Sequence, residues 1–154
     1  MPVVDLNAIE EVNRTGYPPP FDAEVAGRWY RRIAPAAGLT EFGASHVRLE
    51  PGAWSSQRHW HEGEDEMAVM LSGTATLVED AGETELVAGD VIAWPKGVRN
   101  GHHLINRSDA PCTFVVIGAG PQQGGAYSDI DMVFTPEGTY VHRDGTPYEA
   151  KRLP

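Results

Sequence analysis

Between residues 44 and 118 the chain breaks into eight short apolar runs separated by glycine, proline and acidic turns, and that rhythm constrains the fold most. The runs occupy residues 44–50, 57–61, 66–71, 74–79, 84–87, 91–94, 102–106 and 112–117. Pro51-Gly52, Ser72-Gly73, Gly89-Asp90 and Pro95-Lys96-Gly97 stand between them, residues that favour reversal of the chain. Each run is too short for an ordinary helix and suits a strand. Eight strands in an open sheet would leave free edges, so a closed barrel or a double sheet is expected. The predicted class is all-β.

The flanks have a different character. Residues 1–43 read as an N-terminal arm: Asp5 can cap a helical turn that places Leu6, Ile9 and Val12 on one stripe, and Pro18-Pro19-Pro20 ends it. Residues 119–154 read as a C-terminal extension with one strand-like stretch at 131–134 and turns at 136–138 and 144–147. A chain of 154 residues suits a single domain built on the 44–118 core.

Several runs are apolar on both faces. In 66–71, alternation puts Ala68 and Met70 on one side and Met67, Val69 and Leu71 on the other. The outer side then needs cover from the arm, the extension or a second copy, and a homodimer is expected. Arg28, Arg31 and Arg32 around Trp29 and Tyr30 read as a solvated or dimer-contact strand edge, with anion recognition as the alternative.

A formal net charge of -10 opposes nucleic-acid binding, which needs a cationic face. No apolar run approaches the roughly 20 residues of a membrane span. The N-terminus carries acids where a signal peptide would be basic, so a cytoplasmic protein is expected. The single cysteine, Cys112, cannot form an internal disulfide and reads as a packing residue.

Chemistry concentrates in two stretches. In Arg58-His59-Trp60-His61, the histidines are two apart and share a strand face, so both imidazoles can reach one point inside a barrel. Glu66 returns to that point if the chain reverses through Glu62-Gly63-Glu64. In Asn100-Gly101-His102-His103, an inward His102 places Leu104 and Asn106 inward and His103 and Ile105 outward. Three imidazoles and a carboxylate suit one divalent ion such as Zn, Mn, Fe, Co or Ni, with positions left for water or substrate. Trp60 should point outward, Arg58 reads as a rim salt bridge or anion contact, and Glu64 and Asp65 as solvated turn acids. His46 and His142 read as surface or satisfied core residues, and Tyr127, Tyr140 and Tyr148 as cover for a barrel mouth.

These residues resemble the two motifs of the cupin superfamily. Gly52, His59, His61, Glu66 and Gly73 match the first; Gly89, Pro95, Gly97, His102 and Asn106 match the second. Gly52 precedes His59 by six intervening residues where the family has five. Four residues separate Gly97 from His102 where the family usually has two, which would put Asn100 at the ligand position. The step from His102 to Asn106 restores the register and favours His102, with His103 and Asn100 as alternatives. The resemblance implies a double-stranded β-helix, or jelly-roll barrel, with a metal on His59, His61, Glu66 and His102.

Cupins include dioxygenases, isomerases, decarboxylases, lyases, sugar-binding modules and storage proteins, so the fold alone assigns no reaction. The chain is similar to small single-domain cupins described as sugar-phosphate isomerases. The leading expectation is an enzyme acting on a small oxygenated metabolite (a sugar, sugar phosphate or hydroxy acid) by isomerisation or related metal-assisted proton transfer. An iron-dependent dioxygenase and a non-catalytic small-molecule binding or sensing module are the alternatives. No catalytic residue is assigned beyond the metal ligands.

Overall fold

The computed structural model describes residues 3–149. A 3-10 turn at Leu6–Ala8 is followed in order by twelve strands and one α-helical turn: β1 (Arg28–Arg32), α1 (Ile33–Ala36), β2 (Gly43–Leu49), β3 (His59–His61), β4 (Asp65–Ser72), β5 (Thr74–Glu79), β6 (Gly82–Val87), β7 (Val91–Trp94), β8 (His103–Ile105), β9 (Cys112–Ala119), β10 (Gly125–Tyr127), β11 (Val133–Phe134) and β12 (Tyr140–Val141). All eight expected strands are present. The arm adds β1, and the extension adds a three-strand meander where one strand was expected.

One layer is a five-stranded antiparallel sheet in the order β1-β2-β9-β4-β7. The other is built from two pieces, β6-β5-β8 and β12-β11-β10-β3. A reciprocal pair of backbone hydrogen bonds between His59 and His102, 3.2 and 2.9 Å, joins those pieces across β3 and the start of β8. The architecture is a jelly roll, as the sequence resemblance implies.

Alternation selects the side chains that fill the interior. On β4, Glu66, Ala68 and Met70 share the inner face; Ala68 and Met70 are buried, and Met70 alone contributes about 2 kcal/mol by leaving water. They pack with Val47, Leu49, Ala75, Leu77, Leu104, Cys112 and Phe114. The register of β4 against β9 slips between Met70 and Ser72, next to Gly73. That glycine has φ +68°, and a Cβ there would lie 2.9 Å from both Cys112 Cβ and Pro111 O. Only glycine meets both demands without displacing the β9 entrance.

A second cluster joins the two extensions. Tyr17, Val25, Tyr127 and Met132 are buried together with Phe21, Phe134 and Tyr140 against them. Tyr17 stacks on Tyr140 at 5.2 Å and meets Tyr127 edge-on at 5.6 Å. Arm and extension therefore pack on each other. The outer face of β4 is left with Leu71 exposed, and Val91 on the neighbouring β7 is also exposed.

Local details differ from the sequence expectation for physical reasons. The N-terminal turn covers only Leu6–Ala8; Asp5 accepts from Asn7 N at 2.9 Å, and Val12 leaves the stripe to bridge Tyr30. β3 starts at His59 because Ser56 and Gln57 turn beneath the His59 ring. His103 and Ile105 are buried like their neighbours, since Trp54 and Ser56 cover that face. Among the described residues, no helix is long and apolar enough to cross a membrane.

Candidate metal centre

Three strands deliver the converging side chains. On β3, His59 and His61 face the interior, while Trp60 turns to the opposite face under the Arg99 guanidinium, 5.1 Å from its ring. On β4, Glu66 lies on the inner face that Ala68 and Met70 define. On β7, Trp94 is the pairing partner of Glu66, so its indole lies beside that carboxylate. The indole stacks on His102, with ring centroids 3.8 Å apart and planes 6° from parallel. Trp94 Nε1 donates to Glu79 Oε1 at 3.1 Å, which holds the indole in place. Gly101 sets the entry to His102: a Cβ there would overlap the Ser128 hydroxyl.

The donor atoms of His59, His61 and Glu66 all lie within 4.8 Å of one another. His59 Nε2 is 3.1 Å from His61 Nε2, and His61 Nε2 is 3.5 Å from Glu66 Oε2. His102 stands beside this triad with Nε2 2.8 Å from the same Glu66 oxygen. Neighbouring donors on bonds of about 2.1 Å to a single ion are separated by about 3.0–3.4 Å. The spacing therefore fits one ion. Tautomers fit as well: His59 Nδ1 donates to Gln57 O at 2.9 Å, leaving the Nε2 lone pair directed inward. Glu64 Oε2 is 3.4 Å from His61 Nδ1, an ion-pair distance without hydrogen-bond alignment.

Electrostatics follow from burial and from Glu66. Burial pushes the His59 imidazole down to about 3 against the pull of Glu66, so the ring is neutral. Burial also opposes charge on His61, but the carboxylates of Glu64 and Glu66 outweigh it and raise the group to about 9. Burial works against ionisation of Glu66, yet hydrogen bonds from His102 and His61 hold its carboxyl well below the usual range. The site pairs an ionised carboxylate with inward-facing imidazoles.

The remaining candidates occupy other positions. His103 Nδ1 donates to Ser56 O at 3.0 Å and its ring meets Trp54 edge-on at 4.6 Å. Asn100 is spent on the β5–β6 turn, accepting from Asp80 N at 2.9 Å and donating to Glu79 at 3.3 Å. Asn106 is fully buried away from the cavity, donating to Leu49 O at 2.9 Å and Ala110 O at 2.8 Å. Arg58 forms salt bridges away from the cavity wall, gripping Asp129 at 2.6 Å and Asp80 at 2.5 Å. Glu64, expected to be solvated, is half-buried and faces His61.

The triad opens on a cavity of about 400 Å³. Its walls carry Trp94 and Phe114 from the five-stranded sheet, and Tyr17, Tyr127, Phe134 and Tyr140 from arm and extension. Arg28 and Tyr30 of β1 also reach it. Alternation along β1 places Arg28 and Tyr30 on one face, but that the face is the inner one depends on β1 pairing with β2, which no local pattern announces.

A jelly roll with two β3 histidines and a β4 glutamate around one point defines a cupin. Residues 45–118 match the family model described as a cupin domain. A crystal structure described as a sugar phosphate isomerase from a cupin superfamily, from Silicibacter pomeroyi, shares 41% identity over 99% of this chain and 100% of that one, with a TM-score of 0.90. The chain belongs to the cupin superfamily. More distant likenesses support the fold: an Acidithiobacillus ferrooxidans protein described as a candidate sugar phosphate isomerase (24% identity, 83% and 84% of the two chains, TM-score 0.70) and a polyketide cyclase from Streptomyces resistomycificus (21%, 84% and 87%, TM-score 0.66). No curated protein matches the chain.

Proposed function

We propose that this cupin is a divalent-metal-dependent enzyme that isomerises a small oxygenated metabolite, or moves a proton on it by related chemistry. The observation that carries the reading is the convergence of His59 Nε2, His61 Nε2 and Glu66 Oε2 on the wall of a cavity of about 400 Å³. His102 completes the ligand set in this reading, since its Nε2 already touches Glu66. The description of the 41%-identical relative as a sugar phosphate isomerase supports the same class of chemistry.

A divalent ion at this site supplies Lewis acidity, drawing electron density from a substrate carbonyl or hydroxyl oxygen. The protein does the rest. His59 presents a neutral nitrogen because its Nδ1 donates to Gln57 O, while His61, raised by Glu64 and Glu66, would give up a proton on taking the ion. Tyr127, whose phenol is raised by burial beside Tyr17 and Tyr140, keeps its proton and stays neutral on the cavity wall. The aromatic walls exclude water from a substrate held between them.

Metal content tests this reading. Protein purified without added metal should carry about one divalent ion per chain, and His59→Ala and Glu66→Ala should each lose it. Clearly substoichiometric metal in the wild type, unchanged by either substitution, sinks the proposal. Turnover of candidate sugar phosphates without dioxygen separates isomerisation from oxygenation. We also propose a homodimer formed over the outer face that carries Leu71 and Val91, which sedimentation equilibrium would detect as twice the chain mass.

A further inference from the structure

Arg28 is the one Lys or Arg side chain on the cavity wall among the described residues, and Glu66 the one acid. No carboxylate among the described residues lies within ion-pair reach of Arg28. Its guanidinium makes two neutral hydrogen bonds instead, to Ser55 O at 2.8 Å and to Arg14 O at 3.2 Å. Its Nε is shielded from water and has no acceptor. Tyr30 lies under it at 5.6 Å.

Two other half-buried arginines, by contrast, are compensated by acids. Arg48 pairs with Glu11 and Glu50, and Arg58 with Asp80 and Asp129. Arg28 keeps a full charge and three of its five N–H groups uncommitted, in surroundings that are mostly aromatic and aliphatic. A charge there is poorly screened, so an arriving anion is attracted more strongly than at an exposed arginine. The hydroxyls of Tyr17 and Tyr140 lie close enough to feel this charge.

The position relative to the metal centre is fixed by three consecutive residues. Arg28 holds Ser55 O, while Ser56 Oγ and Gln57 O are the partners of His59 Nδ1 at 3.2 and 2.9 Å. Two residues of chain span at most about 7 Å. The guanidinium and the metal ligands are therefore a small molecule's length apart on one continuous wall.

We propose that Arg28 is the anchor for an oxyanion, a carboxylate or a phosphate, at the end of the substrate remote from the metal. This deepens the metal-enzyme reading and rests on it for the second end of the substrate. The substrate is then an anionic metabolite that reaches the metal with its carbonyl or hydroxyl oxygens and Arg28 with its charged group. A neutral sugar leaves the guanidinium uncompensated.

The test uses full-length protein, as purified and after removal of metal by chelator and dialysis, titrated calorimetrically with inorganic phosphate and separately with acetate. Saturable binding that survives metal removal and weakens about 10- to 100-fold in Arg28→Gln is the expected result. Stronger binding of phosphate assigns a phosphate ester, and stronger binding of acetate a carboxylic acid. Arg28→Gln binding as tightly as wild type, or wild type saturating with neither anion, overturns the proposal. Since Arg28 also holds the arm, wild-type crystals soaked in arsenate supply a readout that needs no variant: anomalous density against the Arg28 guanidinium supports the subsite, and arsenate found only elsewhere refutes it. Metal content of the same samples separates the two readings. An anion lost in Arg28→Gln from protein that never held metal removes the metal reading alone, and metal retained with anion binding unchanged removes the Arg28 subsite alone.

Discussion

The indole of Trp94 lies flat against the imidazole of His102, 3.8 Å between centroids and 6° from parallel, and is itself held by Glu79. His102 has no acceptor at Nδ1, so stacking, rather than a hydrogen bond behind the ring, orients it toward Glu66. Loss of such support behind a ligand typically costs 10- to 100-fold in metal affinity. Trp94→Ala is expected to weaken metal binding by about 10-fold, measured by competition with a chromophoric chelator, and Trp94→Phe to retain most of it. Unchanged affinity in Trp94→Ala would show that the stack does not position His102.

Asn106 ties the 107–111 turn to β2. Its amide donates to two backbone carbonyls, and its oxygen accepts from Ser108 N at 3.0 Å and Ser108 Oγ at 2.8 Å. Asn106→Ala leaves buried carbonyls without donors and is expected to destabilise the fold by about 2–4 kcal/mol. Urea denaturation should show a lower midpoint at unchanged slope. Metal content should stay at the wild-type level, because the side chain does not face the cavity.

Arg58 bridges the loops that carry Asp80 and Asp129. The guanidinium holds the Asp129 carboxyl below the usual aspartate range of about 3.9. A carboxylate whose pKa is depressed on folding contributes stability above its unfolded value, and loses it as pH falls through the folded one. Thermal midpoints of wild type and Asp129→Asn should therefore differ at pH 7, and the gap should narrow as pH falls below the unfolded value of about 3.9. A gap that persists at low pH assigns the difference to something other than this ion pair. The effect will be modest, since Asp129 is largely exposed.

Cys112 is fully buried under Gly73, and burial pushes its thiol up to about 11. Few thiolates form at pH 8, and a reagent cannot reach them. Ellman's reagent is expected to leave the native protein unlabelled over hours and to titrate about one thiol per chain in denaturant. Rapid labelling of native protein would mean that β9 opens locally.

Much of the site was legible because strand periodicity is local. Two residues apart means one face, and that rule alone aligned His59 with His61 and Glu66 with Ala68 and Met70. The glycine and proline turns likewise marked where each strand ends. Parity was insufficient at 102–106, where both faces are covered and neither His103 nor Ile105 reaches solvent. Glu64 was misread for a related reason: a turn acid is normally solvated, but here the turn folds under His61.

The sequence by itself therefore determined the strand-and-turn rhythm and the inner-face histidine pair, properties of residues within a few positions of one another, and it named the donor types of the candidate site. Only the tertiary structure decided which partners surround them. Trp94 reaches His102 because β7 pairs with β4, and Arg28 reaches the cavity because β1 pairs with β2. Tyr17 meets Tyr140 because arm and extension pack together over more than a hundred residues of chain. Such contacts depend on strand register and closure, which are set by burying the whole interior at once and leave no local signature.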